Sequence, residues 1–217
     1  MLNTEWITLI IQEVASHRLL LREAMATHLG LTVAAWCIAA LMGLLLGYGS
    51  FRSARIGRIV PPVFNTLRVI PGLALIAFMI PVLGTGAVPT IVALCLLALP
   101  SVMLNALAGF RQVDAPVLES AQALGLDAWQ VFSRVELPLA FPYILTGLRI
   151  AGVEIIAGAT LAAFIGGGGL GTLIVKGLST YNFPLVLAGA LPVALLALLV
   201  EFGFNELIRQ VTRYQAC

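Results

Sequence analysis

The stretch Asp114-Ala-Pro-Val-Leu-Glu-Ser-Ala-Gln-Ala-Leu-Gly-Leu-Asp-Ala-Trp-Gln-Val-Phe-Ser-Arg-Val-Glu-Leu-Pro138 decides how this chain is read. It is a polar island between segments suited to lipid. Asp114 can cap a helix, and Pro116 fits the first turn, where its missing N–H costs nothing. Glu119 lies near the positive end of that helix dipole. Gly125 supplies a C-terminal stop, because glycine takes the left-handed conformation without a Cβ clash. Asp127 can cap a second helix, on which Val131, Phe132 and Val135 form one apolar face and which Pro138 is expected to end. The expectation is two short helices joined by a glycine turn. Such an insert serves as an amphipathic connector on the membrane surface or as a docking surface for a partner in water.

Outward from the island the composition is that of a membrane protein. Of the 217 residues, 60% are hydrophobic and 10% charged, against about 25% charged in soluble domains. The net charge of +2 gives no footprint for nucleic acid. Between Val69 and Phe110 lie 42 residues without Lys, Arg, Asp or Glu. As one helix they would run roughly 63 Å, twice the roughly 30 Å hydrocarbon core, so the chain turns back at Gly84-Thr85-Gly86. Five spans follow, at about 28–50, 59–83, 88–110, 141–163 and 185–207, with the island at 111–139. Residues 1–25 read as an interfacial or external helix, with an additional short span as the alternative, and their apolar run and charges are in the wrong order for a signal peptide. Residues 26–210 form the membrane domain and 211–217 a tail.

Positive charge orients these spans. Arg52, Arg55, Arg58, Arg111, Arg134, Arg209 and Arg213 fall on one side, which is expected to be cytoplasmic. Lys176, Arg18 and Arg22 fall on the other. This places the N-terminus outside and the C-terminus inside. Gly43 and Gly47 in the first span form a Gly-x-x-x-Gly pair that can bring another helix close. Arg68, Arg149 and Glu154 lie within expected spans. Ionisable groups at that depth mark a translocation path or hydrogen bonds within the bundle.

Other chemistries are absent from the sequence. Cys37, Cys95 and Cys217 share no metal or disulfide spacing. His17 and His28 are the sole histidines, and no Gly-x-Ser-x-Gly or His-Glu-x-x-His occurs. Gly166–Gly169, followed by Leu170-Gly171, is not closed by the Gly-Lys-Ser/Thr of a nucleotide-binding loop. It reads as an external loop extending to about Pro184. No catalytic residue, metal or cofactor is expected.

Glu119-Ser120-Ala121, three residues, Gly125, nine residues, then Val135-Glu136-Leu137-Pro138 resembles the signature loop of ABC importer permeases. The family pattern is Glu-Ala-Ala, three residues, Gly, nine residues, Ile-x-Leu-Pro. Ser120 and Val135 depart from it conservatively. Arg68–Leu75, Val135–Pro142 and Ala159–Gly171 are similar to permeases for glycine betaine, choline, carnitine and related osmoprotectants, although Gly72 is often serine there and Gly167 often alanine. The resemblance runs from roughly His28 to Gly177. Methionine-importer permeases share the layout.

The resemblance implies an all-α type I importer permease in a bacterial inner membrane, with about five transmembrane helices and a cytoplasmic two-helix coupling loop. It implies ATPase coupling through Asp114, Glu119, Ser120, Ala121, Gly125, Val135, Leu137 and Pro138. The implied partners are two cytoplasmic ATP-binding subunits, a second permease copy or relative, and an extracytoplasmic substrate-binding protein. ATP hydrolysis would belong to the ATP-binding subunits. Two other classes fit less of the chain. One is a channel or ion-coupled transporter lined by Arg149 and Glu154. The other is a scaffold that recruits a cytoplasmic protein through the island.

Overall fold

The computed structural model describes residues 17–215, and among these every regular element is helical. Helix α1 spans Arg18–Arg52. Its 35 residues are about 52 Å long, well beyond a hydrocarbon core. The separate helix expected over 1–25 lies largely outside the described residues. Its later part, from Arg18, instead runs unbroken into the first span. The reason is local: Leu19–Met25 are strong helix formers with no Gly or Pro among them.

The basic loop expected at 51–58 shrinks to one residue. Ser53 takes an extended conformation and its hydroxyl accepts the Ile56 N–H at 3.5 Å, which starts α2 (Ala54–Leu67) at once. None of the residues of α2 is buried, and it carries Arg55 and Arg58. The expected second span, 59–83, is not one helix. The chain breaks after α2 and resumes as α3 (Gly72–Leu83). Pro71 causes the break: it biases Ile70 away from helical geometry and itself sits at φ −58°, ψ 136° ahead of α3. Arg68 is therefore an exposed residue capping α2 rather than a charge inside a continuous span.

Gly84 and Gly86 have positive φ and form the expected turn into α4 (Ala87–Arg111). The island folds as α5 (Ala115–Ala123) and α6 (Ala128–Val131). A π-helical turn, Phe132–Glu136, then leads into α7 (Leu137–Leu161). The expected external loop is mostly helical: a 3-10 turn (Ala162–Ile165), a short glycine connection, and α8 (Gly171–Ser179), which buries Leu173. Helix α9 (Phe183–Gln215) absorbs both the fifth expected span and most of the tail. Among the described residues α1, α4, α7 with the elements flanking it, and α9 are long and apolar enough to cross a membrane. The pair α2 and α3 would make a fifth crossing if the two count as one broken span.

The chain divides into two compact units. One comprises the chain up to Cys37 with Ile70–Leu97 and Gly152–Val200. Its core clusters gather Ala24, Leu170, Leu173 and Leu185, and separately Ile76, Ala93 and Ile165. The other comprises Ile38–Val69, Ala98–Ala151 and the chain from Glu201 onward. Its cluster of Ala106, Phe110, Ala140 and Ile144 is flanked by Leu44, Tyr48, Phe51, Phe132 and Leu137. In this second unit the Gly43/Gly47 pair brings α1 against α4. A Cβ on Gly43 would lie 2.6 Å from the Cβ of Val102, and one on Gly47 2.8 Å from that of Ala106. No larger residue fits there without displacing a helix.

Candidate functional site

The island and the helix ends beneath it all belong to the second unit. Asp114 occupies the N-cap position of α5, but its side chain makes no capping hydrogen bond. Pro116 sits in the first turn as expected. Glu119 and Ser120 are exposed, whereas Ala121, next in sequence, is buried. The Ser120 hydroxyl donates back to the Pro116 carbonyl at 2.7 Å.

Gly125 ends α5 at φ +79°. Its N–H donates to the Gln122 carbonyl at 2.9 Å, and the Leu126 N–H donates to the Ala121 carbonyl at 3.3 Å. These two bonds make a Schellman turn, which needs a left-handed residue at this position. A Cβ there would meet nothing within 4 Å, so the requirement is backbone conformation and not space. Asp127 then caps α6 with a reciprocal box. Its carboxylate accepts the Gln130 N–H at 2.8 Å, and the Gln130 side chain accepts the Asp127 N–H at 3.0 Å. The turn between the helices leaves two large apolar side chains uncovered: Leu124 is 81% exposed and Trp129 71%.

Pro138 does not end the second helix. The Leu137 N–H donates five residues back, to the Phe132 carbonyl. This widened π turn accommodates a proline whose ring would collide with a carbonyl four residues back in a regular α-helix. The chain continues into α7 without a break. Val135 and Leu137 are half-buried, and Leu137 packs on the cluster around Phe110 and Ile144.

The spacing pattern passes over the residue between them. Glu136, an unspecified position in the signature, is only 2% exposed. Its carboxylate accepts the Tyr48 hydroxyl at 3.4 Å and pairs with Arg52 at 3.6 Å. Around it runs a chain of aromatic contacts. Trp129 lies 5.5 Å from Phe132 between ring centroids, Phe132 lies 4.9 Å from Tyr48, and Tyr48 lies 5.0 Å from Phe110. A cleft of about 320 Å³ opens beside this group, lined by Phe51, Arg52, Leu118, Leu126, Val131 and Glu136 among others. One signal in the sequence pointed here: a carboxylate at the membrane end of an apolar helix requires a partner.

The intramembrane candidates are separated. Arg149 on α7 donates to the Glu201 carboxylate on α9 at 3.0 Å and also to the Asn205 side chain. Asn205 in turn donates to Glu201 at 3.0 Å. Glu154, five residues on along α7, is half-buried and is not part of this triad. Arg68 stands apart at the end of α2. Among the described residues no group of three or more His, Cys, Asp and Glu side chains lies together as a metal site.

Long apolar helices, a polar two-helix insert between two of them and an Arg–Glu–Asn triad joining α7 to α9 are those of a multi-span membrane protein. The chain belongs to the family of binding-protein-dependent transport system inner membrane components, whose model matches residues 39–213. It is 39% identical over 185 residues to the carnitine transport permease protein OpuCB of Listeria monocytogenes, covering 85% of each chain. It is 36% identical, over the same share of each chain, to the glycine betaine/carnitine/choline transport system permease protein OpuCB of Bacillus subtilis (strain 168). The fold is that of a permease chain in inward-facing structures of the MetNI methionine ABC transporter, with a TM-score of 0.81, 22% identity, and coverage of 90% of this chain and 98% of that one. The protein is thus a multi-pass inner-membrane permease subunit of an ABC importer, not an enzyme. It works with ATPase and substrate-binding partners, and ATP hydrolysis takes place in a separate subunit.

Proposed function

We propose that this permease imports a small quaternary-amine osmoprotectant of the glycine betaine, choline or carnitine type. The support is 36–39% identity, along 85% of the chain, to relatives named for those solutes. The coupling element is the insert from Asp114 to Arg134, continued by Val135, Leu137 and Pro138. One observation carries this assignment. The Schellman turn at Gly125 leaves Leu124 and Trp129 exposed on the same insert that carries the exposed Glu119 and Ser120. Exposed aromatic and aliphatic anchors on a rigid turn, next to a charge, are what a docking surface needs.

In this reading the insert and the C-terminus face the cytoplasm, in line with the positive charges beside them. The N-terminus faces outward. Two ATP-binding subunits engage two permease copies, or this chain and a related one, and an extracytoplasmic binding protein delivers the solute. ATP closure of the ATPases moves the inserts, and the spans open outward. Arg68, Arg149 and Glu154 are each candidates for contact with the solute, with Glu201 as the counter-charge of Arg149. Residues 26–210 constitute the transport domain.

The test is uptake of radiolabelled glycine betaine into proteoliposomes containing the permease, its ATPase and its binding protein. ATP-dependent uptake that unlabelled choline or carnitine competes and methionine does not is the expected result. Uptake competed by methionine alone refutes the solute assignment. Glu119→Arg and Gly125→Pro should abolish capture of the ATPase by the tagged permease while both proteins still insert in the membrane. Wild-type capture by both variants refutes the coupling assignment.

A further inference from the structure

Glu136 poses a problem that coupling through an exposed surface does not resolve. A carboxylate 2% exposed costs several kcal/mol in lost hydration unless its partners compensate. Its partners here are modest. Tyr48 is a long hydrogen bond away at 3.4 Å, and the Arg52 side chain, at 3.6 Å, is itself 56% exposed. An apolar residue would pack at this position beside Leu137 and Phe132 without any desolvation cost. Such a buried pair is poor at adding stability and good at fixing register, because only one alignment of the two elements satisfies the charge.

The placement shows which elements are registered. Tyr48 and Arg52 occupy the last turn of α1, one helical turn apart on the same face. Glu136 ends the π turn that joins the insert to α7. On the far side of that turn, Phe132 contacts Trp129, which is 71% exposed. We propose that Glu136 is a positioning residue: through Tyr48 and Arg52 it locks the root of the insert to the end of α1, so that a displacement of the insert moves α1 and α7 together. This rests on the insert being the coupling element. A π turn is the soft point of the segment, since its hydrogen bonds are displaced from the α pattern. Without a tie at Glu136, motion at Trp129 would be absorbed there.

The experiment uses the full permease in complex with its ATPase, in a background carrying Cys37→Ser, Cys95→Ser and Cys217→Ser. Spin labels are placed at Leu45→Cys on α1 and Ala123→Cys on the insert, both exposed positions. The distance between them is read by double electron–electron resonance with and without a non-hydrolysable ATP analogue. Glycine betaine uptake per ATP hydrolysed is read on the unlabelled proteins. Tyr48→Phe removes only the hydroxyl, Glu136→Leu removes the carboxylate, and Glu136→Gln keeps the shape and an acceptor.

The doubly labelled permease is diluted into unlabelled permease so that a complex carries one label pair, and the expected result is one narrow distance distribution in the parent protein. Tyr48→Phe and Glu136→Leu should broaden it, and Glu136→Gln should largely restore it. Uptake per ATP should fall at least about fivefold in the first two variants, with undiminished ATPase capture. A distribution as narrow as the parent's in both Tyr48→Phe and Glu136→Leu overturns the proposal, and Tyr48→Phe alone decides it if Glu136→Leu does not fold. Loss of ATPase capture in step with the broadening overturns it too, because the carboxylate would then only shape the docking surface. If the parent protein captures no ATPase, the coupling assignment itself falls, and this proposal with it.

Discussion

Arg149 and Glu201 face each other at 3.0 Å across α7 and α9, with Asn205 bonded to both. Neither residue has another charge of opposite sign among the ion pairs of the described residues. Removing one therefore leaves the other, only partly exposed, without its counter-charge, whereas removing both leaves no unpaired charge and only Asn205 as a polar group. Arg149→Leu and Glu201→Leu should each lower the thermal unfolding temperature in detergent, and the double variant should recover much of the loss. The expected coupling energy is about 1–3 kcal/mol. Strictly additive losses would show that the two charges act independently.

Two glycines on α1 should respond in opposite directions to the same change. A Cβ on Gly43 would lie 2.6 Å from Val102, while one on Gly30 meets nothing within 4 Å. Gly43→Ala should destabilise by about 1–3 kcal/mol through overpacking. Gly30→Ala should be neutral or stabilise by up to about 1 kcal/mol, since alanine is the better helix former. Thermal melts of the two variants side by side check this. Equal shifts would mean that α1 and α4 do not approach as closely as described.

Gly125 is held by conformation alone, so its substitutions should rank by backbone preference. Gly125→Ala places a Cβ in the left-handed region at a cost of about 1–2 kcal/mol, and Gly125→Asn should cost less. Amide hydrogen exchange of Leu124, Gly125 and Leu126 reads the turn directly, because two of these N–H groups make the Schellman bonds. Exchange should quicken in the order Gly, Asn, Ala. No change with alanine would contradict the turn.

The parts legible from the sequence are those set by local chemistry. The glycine turn and the Asp127 cap follow from residues within five positions of one another. The all-helical class followed from composition and apolar run length. What failed was the ends of helices. Pro138 reads in the sequence as a helix terminator, but a widened π turn upstream absorbs it. The same residue type was passed over at Pro71, where no such relief exists and the chain does break. Arg149 was weighed against Glu154, its neighbour in sequence, whereas its partner lies 52 residues away on another helix. Glu136 was missed for a similar reason: its partners Tyr48 and Arg52 are more than 80 positions distant, and no periodicity within one element reports on them.

Trp129 is the residue on which the docking assignment can be tested most narrowly. The residue is 71% exposed, and its ring lies 5.5 Å from that of Phe132. In the isolated permease that contact contributes little, about 0.5–1.5 kcal/mol for an aromatic pair. Buried in a partner's groove, a tryptophan of this kind becomes an anchor whose truncation costs 2 kcal/mol or more, roughly 30-fold in affinity. Trp129→Ala should therefore weaken ATPase binding about 30-fold while shifting the permease's own melting temperature by no more than a few degrees. Trp129→Phe should fall between them, since the smaller ring fills part of the same groove. Binding is measured by titrating purified ATPase onto permease in nanodiscs. Unchanged affinity in Trp129→Ala would remove the turn from the interface and leave the exposed face of α5, with Glu119 and Ser120, as the surface to examine.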